Sequence, residues 1–204
     1  MEKKIFLIGS GSHAALLLKI IRRQGNIVSG VISKDLKKND IYHDIPVIEN
    51  DSKILNYDPK KIILVNGIGQ LPNNRNRTKI TKYFKKNNFE FLTIIDENSI
   101  IAQSAKICEG AQIMAGTIIQ ENVIVGENSI INTGSILEHD VKVDSNCHLA
   151  TGTICCGNVH IKDETFIGAG SLITQNVIVG RETIIAGRSV VTKNIIAKSK
   201  LIKN

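Results

Sequence analysis

The chain has no tryptophan and only five phenylalanines and three tyrosines in 204 residues. A core built with so few rings must be aliphatic, and base stacking on single-stranded nucleic acid loses its usual platforms. Proline is scarcer still, three in all and none beyond Pro72, which leaves the second half free to form uninterrupted strand ladders. The four cysteines (Cys108, Cys147, Cys155 and Cys156) lack CxxC spacing, so neither a zinc knuckle nor a disulfide framework is indicated. A reduced, cytoplasmic protein is the expectation. No stretch reaches the roughly 20 apolar residues of a membrane span. The opening MEKKIFLIGSGSHAALLLKII is broken by a glycine-serine loop and reads as strand, loop and helix rather than as a signal peptide.

What is present is a chain 42% hydrophobic and 22% charged, enough to bury a substantial core. Its net charge of +7 is uneven: residues 1–96 carry 17 Lys and Arg against nine Asp and Glu, whereas residues 97–204 carry nine against ten. A basic first half suits an anionic ligand such as a nucleotide diphosphate, and equally suits a solvated lysine-rich face.

The second half carries an internal repeat. Counting in sixes from Ile101 to Val191, fifteen of 16 positions are aliphatic and the exception is Cys155. The fourth residue after each is small or β-branched, and Val123, Val141, Val159 and Val177 recur every 18 residues. Three sixes therefore make one coil of a triangular prism, with short strands as sides and turns as corners. Glycines such as Gly110, Gly116, Gly126, Gly134, Gly152, Gly168, Gly170, Gly180 and Gly187 fall where corners need positive φ or close approach. Residues 101–195 would give about five coils, on the order of 25 Å tall.

In the first half, strands are expected at Lys4–Ile8, Ile27–Ser33, Pro46–Ile48, Ile62–Asn66 and Phe89–Ile95. Helices are expected at His13–Arg23 and Arg75–Lys86. Alternating strands and helices imply a small parallel, Rossmann-like sheet. Gly9-Ser10-Gly11-Ser12-His13-Ala14 fits G-x-G-x-x-A at a strand-to-helix turn. The second strand ends Ile32-Ser33-Lys34 with Asp35 one step late, which disfavours a redox NAD site. The helix N-terminus can still hold a diphosphate over Gly9, Gly11 and Ser12; a glycine turn that merely packs is the alternative.

Of the five histidines, His43 and His160 read as surface residues. His139 stands apart, between Glu138 and Asp140 at a corner, with Gly157 one coil on. Imidazole beside a carboxylate is what a general base near neutral pH requires, and a backbone N–H one coil away could receive an oxyanion. Spacing alone leaves open a hydrogen-bonded corner residue. His139, His148 and His160 are not 18 residues apart and do not stack on one edge, so no metal site is expected within one subunit. Cys147 and Cys155 take inward positions and read as buried packing; Cys156 points outward beside Gly157.

Gly9–Ala14 (GSGSHA), Val65–Gln70 (VNGIGQ), Asn132–Asp140 (NTGSILEHD) and the hexapeptides together resemble the hexapeptide-repeat nucleotide-sugar acetyltransferases. That family includes sialic-acid O-acetyltransferases and UDP-4-amino-sugar N-acetyltransferases of bacillosamine-type pathways. The resemblance implies a left-handed hand for the β-helix. It implies a nucleotide-sugar-binding domain over 1–96 and an acyltransferase domain over 97–204. It makes His139 the general base, assisted by Asp140, and has His148 position the acetyl carbonyl. His13 and Asn132 would hold the acceptor amine, and backbone at Gly157, Ala169 and Gly187 would line the acetyl-CoA groove. It implies a homotrimer with active sites between subunits. The chain departs from the pattern at the second strand's end and in lacking a C-terminal G-x-P-A motif.

The expected function is acetyl-CoA-dependent N-acetylation of a nucleotide-activated 4-amino sugar for surface glycan biosynthesis, by direct transfer, without nucleic acid or membrane insertion. The alternatives are O-acetylation of sialic-acid-type sugars and a non-catalytic nucleotide-binding β-helix.

Overall fold

A computed structural model describes residues 3–37, 40–48, 50–72 and 74–201. The chain divides into two compact units, residues 1–94 and 95–204.

The first unit is an α/β layer. Strand β1 (Lys4–Ile8) is followed by helix α1 (Ser12–Arg23), β2 (Val28–Ile32), a short hairpin of β3 (Ile41–Tyr42) and β4 (Ile45–Ile48), a single turn α2 (Asp51–Ile54), β5 (Ile62–Asn66) and α3 (Asn76–Lys86). The sheet order is β3-β4-β2-β1-β5, parallel except for the β3–β4 hairpin. The chain thus winds from β1 to one side through β2 and β4 and to the other through β5. The switch point where an open α/β sheet leaves a crevice lies between β1 and β5. Helix α1 buries Ala14, Leu17, Leu18, Ile20 and Ile21, one stripe at helical spacing. The strand expected over Phe89–Ile95 does not form as one piece. Phe91 makes an isolated bridge to Leu64, and only Ile94–Ile95 is strand. The apolar run there is shared between two hydrophobic environments, which periodicity cannot separate.

The second unit is a parallel β-helix of two-residue strands. Its first face runs from Ile94–Ile95 through Gln112–Ile113, Ile130–Ile131, His148–Leu149, Phe166–Ile167 and Ile184–Ile185 to Lys200–Leu201, seven strands. The second face has six, from Ile100–Ile101 to Val190–Val191. The third has five, from Lys106–Ile107 to Ile178–Val179, continued by a bridge from Val179 to Ile195. Partners stack 18 residues apart, as in Ile118↔Ile136 and Ile136↔Ile154. The prism is therefore a coil taller than the expected five, because the boundary strand and the basic C-terminal segment also join the ladder.

The inward residue of each strand builds one continuous aliphatic core, joined by Val123, Val141, Val159 and Val177. Buried hydroxyls of Ser129, Ser135, Thr165 and Ser171 occupy the same register as those valines. They donate to carbonyls of the next part of the coil, so no polar cost is left in the core. From Gly110 to Arg188 every sixth residue has positive φ. Glycine or asparagine fills most of these sites, as the left-handed conformation favours. Asp140, at φ 62°, is one of the few exceptions.

Candidate active site

In the second unit, His139 sits at the corner between the second and third faces, in the turn after Ile136–Leu137. Its imidazole is exposed, and its Nδ1 lies 2.9 Å from Asp140 Oδ2. Asn122 Nδ2, one coil below, donates to the other carboxylate oxygen at 3.2 Å. These hydrogen bonds, from His139 first and Asn122 second, hold the Asp140 carboxyl below its ordinary value. An ionised Asp140 is an acceptor for Nδ1–H, the arrangement that in a neutral imidazole puts the lone pair on Nε2. The left-handed turn is what brings the carboxylate of one residue onto the imidazole of its neighbour.

The imidazole lies over Gly157. A Cβ added there would stand 2.6 Å from both Cε1 and Nε2 of His139. The space over Gly157 is thus filled by the ring itself. Glycine is required because any side chain would displace the imidazole. The carbonyl of Gly157 accepts from Asn176 N–H at 3.1 Å, while its own N–H has no backbone acceptor among the described residues. The imidazole thus rests on a residue whose amide N–H has no backbone partner among the described residues.

The other expected residues of this unit stand elsewhere. Asn132, Ala169 and Gly187 lie at the corner between the first and second faces, and His148 points outward from the first face beside it. Asn132 Nδ2 is 3.3 Å from His148 Nε2, and its Oδ1 accepts from Thr133 N–H at 2.8 Å. The histidine stacks edge-on against Phe166 at 5.2 Å. Asn132 and His148 are thus brought together, with His148 Nε2 as acceptor, while His139 and Gly157 stand across the second face from them. Ala169 and Gly187 stack one coil apart, and Ala169 O accepts from Arg188 N–H at 2.8 Å. His160 faces out of the third face and pairs with Asp144 at 2.8 Å. Cys147 and Cys155 are buried, and burial pushes both thiols well above their ordinary values, so neither is a nucleophile.

One feature of the second face was not anticipated. Its outward column is Ile100, Ile118, Ile136, Ile154, Leu172 and Val190, aliphatic at every strand. The signal was present in sequence, one residue before each inward position at a spacing of 18. The outward residues of the third face (Lys106, Ile124, Lys142, His160, Ile178) are mixed by comparison.

In the first unit, Gly9 has φ +94° and Gly11 is the N-cap of α1, with nothing within 4 Å of the place a Cβ would take. No side chain caps α1 and no acidic residue lies in its first turn, an arrangement that suits an anion at its N-terminus. Gly11, Ser12 and His13 line a cavity of about 340 Å³ with Gly67, Ile68, Gly69, Leu71, Asn74 and Asp35. A second cavity of about 450 Å³ shares Asp35 and Ile68 and continues to Lys34, Asp51, Asn76, Lys79 and Tyr83. The Asp51 carboxyl is raised by burial, partly offset by Lys34. Ser33 Oγ accepts from Asp35 N–H at 3.1 Å, shaping the turn that turns Asp35 into both cavities. Asn76, Lys79, Ile80 and Tyr83 lie at i, i+3, i+4 and i+7 on one face of α3. That stripe was legible as a helix face but not as a cavity wall.

Residues 4–84 match the profile of the PglD N-terminal domain, and residues 104–139 match that of the bacterial transferase hexapeptide (six repeats). The match to the PglD N-terminal domain falls on the first unit, and the hexapeptide match on the second. No curated protein matches it by sequence. Among solved structures, it is similar to PerB from Caulobacter crescentus in complex with CoA and GDP-perosamine. There the identity is 25%, coverage is 95% of this chain and 91% of that one, and the TM-score is 0.85. The acetyltransferase domain of PglB from Neisseria gonorrhoeae FA1090, in complex with acetyl coenzyme A, is 24% identical over 98% of this chain and 96% of that chain, with a TM-score of 0.87. WeeI from Acinetobacter baumannii AYE is 23% identical over 99% and 97% of the respective chains, also with a TM-score of 0.87. No helix among the described residues is long and apolar enough to cross a membrane.

Proposed function

We propose that this protein is a cytoplasmic acetyl-CoA-dependent N-acetyltransferase, acting on the amine of a nucleotide-activated 4-amino sugar for surface glycan biosynthesis. The observation that carries this reading is the His139–Asp140 pair with Nε2 set against Gly157. Its likeness to proteins solved with CoA, acetyl-CoA and GDP-perosamine supports the choice of substrates.

The amine attacks the thioester carbonyl, forming the C–N bond. His139 Nε2 takes the proton released, and Asp140 stabilises the resulting imidazolium. The oxyanion is received by the Gly157 N–H. The C–S bond then breaks, and coenzyme A leaves as thiolate and takes the proton from His139. Direct transfer needs no acyl-enzyme because both substrates are held and oriented together. In the first unit, Gly9, Gly11 and Ser12 take the diphosphate, and the larger cavity with Asp35 and Asp51 takes the nucleoside. His13 and Asn132 hold the amine.

The active form in this reading is a homotrimer. The aliphatic second face is covered by another copy of the chain, because His139 stands at one of its edges and the Asn132–His148 pair at the other. Two copies packed edge to edge bring one copy's base to the other's acetyl-positioning groups. Gly157, Ala169 and Gly187 then face a shared acetyl-CoA groove.

The test is acetyl transfer from acetyl-CoA to UDP-, GDP- and dTDP-linked 4-amino sugars, with free and CMP-linked sialic acids beside them. An alkali-stable amide on one 4-amino sugar is expected. His13→Ala and Asn132→Ala should each weaken its use by a few kcal/mol at most, as lost positioning contacts do. An alkali-labile ester on a sialic acid, without reaction of any 4-amino sugar, would hand the chain to O-acetylation. No transfer at all would leave only a nucleotide-binding β-helix.

A further inference from the structure

Arg77 of α3 is completely buried. Its Nη1 donates to two carbonyls of the loop after β5, Asn66 O at 2.8 Å and Ile68 O at 2.9 Å. The Asn66 side chain closes the network. Its Oδ1 accepts from Ile68 N–H at 3.1 Å, and its Nδ2 donates to Arg77 O at 3.1 Å and Thr81 Oγ1 at 2.9 Å. Thr81 Oγ1 in turn donates to Arg77 O at 3.1 Å. Burial lowers the guanidinium pKa to about 9, so the group is still charged at neutral pH and costly to keep there. Two gripped carbonyls flank Gly67, where a Cβ would stand 2.6 Å from Ile8 O. The loop is fixed from below by hydrogen bonds and from the side by β1.

Peptide planarity turns this grip into a direction. No cis bond occurs among the described residues, so each N–H points opposite to the carbonyl of the preceding residue. The N–H of Gly67 is used by Ile8 O at 2.8 Å. The N–H of Gly69 follows the Ile68 carbonyl and so points away from Arg77. Gly69 lines the smaller cavity with Gly11, Ser12 and His13, and a Cβ on it would come within 3.6 Å of His13 Cβ.

We propose that Arg77 is a positioning residue for the nucleotide diphosphate: by holding the Asn66 and Ile68 carbonyls it aims the Gly69 N–H at the anion bound on the leading amides of α1. The inference rests on the nucleotide-sugar reading above. It adds an element outside the glycine fingerprint, in which the second glycine-rich loop supplies a donor and a buried arginine, never touching the ligand, sets its angle.

The experiment is isothermal titration of the full chain with UDP, GDP and dTDP, continuing with whichever binds tightest, and separately with acetyl-CoA. Arg77→Met should weaken nucleoside diphosphate binding about 10- to 100-fold, the loss of one or two hydrogen bonds to an anion. Acetyl-CoA affinity should be unchanged. In turnover, KM for the nucleotide sugar should rise with little change in kcat, and Arg77→Lys should restore part of the loss. Gly69→Pro, which removes the N–H itself and leaves every side chain of the buried network in place, should show the same weakening. A folded Arg77→Met with wild-type diphosphate affinity overturns the proposal. If Arg77→Met does not fold, wild-type affinity in Gly69→Pro overturns it. Failure of the wild-type chain to bind any of the three removes the nucleotide reading itself, a result distinguishable from either.

Discussion

At the scale of single residues, the imidazole of His139 is placed by its two neighbours rather than by the fold at large. Asp140 occupies a left-handed turn position and takes Nδ1–H, and Gly157 gives the ring a surface to rest on. Adding one methyl at Gly157 should therefore be costly for chemistry and cheap for stability. Gly157 has no positive φ, and the atoms a Cβ would meet belong to an exposed ring that can swing away. We expect Gly157→Ala to lower kcat by about 10²-fold, as a base misplaced by an ångström does. Thermal unfolding should be almost unchanged. Wild-type turnover in Gly157→Ala would show that the ring position seen here is not the working one.

At the scale of elements, the hexapeptide period sets the whole prism, because one buried residue per strand must repeat at fixed spacing for the coils to share a core. Ile131 is completely buried and Glu127 exposed. Ile131→Asp should cost about 4 kcal/mol or more, since a carboxylate would be buried among aliphatic side chains. Glu127→Gln should shift stability by less than about 0.5 kcal/mol. Equal losses in denaturant unfolding would mean that the inward register is misassigned. This regularity is why the prism was readable from sequence down to single residues, and why Cys147 and Cys155 could be set aside as packing. The α/β unit was less readable. Its strands and helices followed from periodicity and the glycine fingerprint, but the cavity walls did not. Lys34, Asp51, Lys79 and Tyr83 converge only through the sheet order, which pairs β1 with both β2 and β5. Nothing in the spacing of Arg77 announced a buried cation, because basic residues on α3 read as solvated.

At the scale of the whole molecule, the same 18-residue stacking that fills the prism also paints one of its outer faces with aliphatic side chains. A continuous apolar column on the surface calls for a partner, and in the proposed trimer that partner is another copy. Leu172→Asp places a charge in the middle of this column while leaving the inward Ile173 in place. Sedimentation should show wild-type protein as trimer and Leu172→Asp as monomer with little transferase activity. A wild-type chain that is monomeric and fully active at nanomolar concentration would contradict the shared groove.

The central claim is that His139 is the base for acetyl transfer. Pre-steady-state transfer from acetyl-CoA to the preferred 4-amino sugar, followed with saturating substrates in wild-type protein and in His139→Ala, tests it most directly. We expect a rate about 10²–10⁴-fold lower in the variant, the range for a positioned general base, with unchanged thermal unfolding and acetyl-CoA affinity. A folded His139→Ala that transfers acetyl at near the wild-type rate would contradict it.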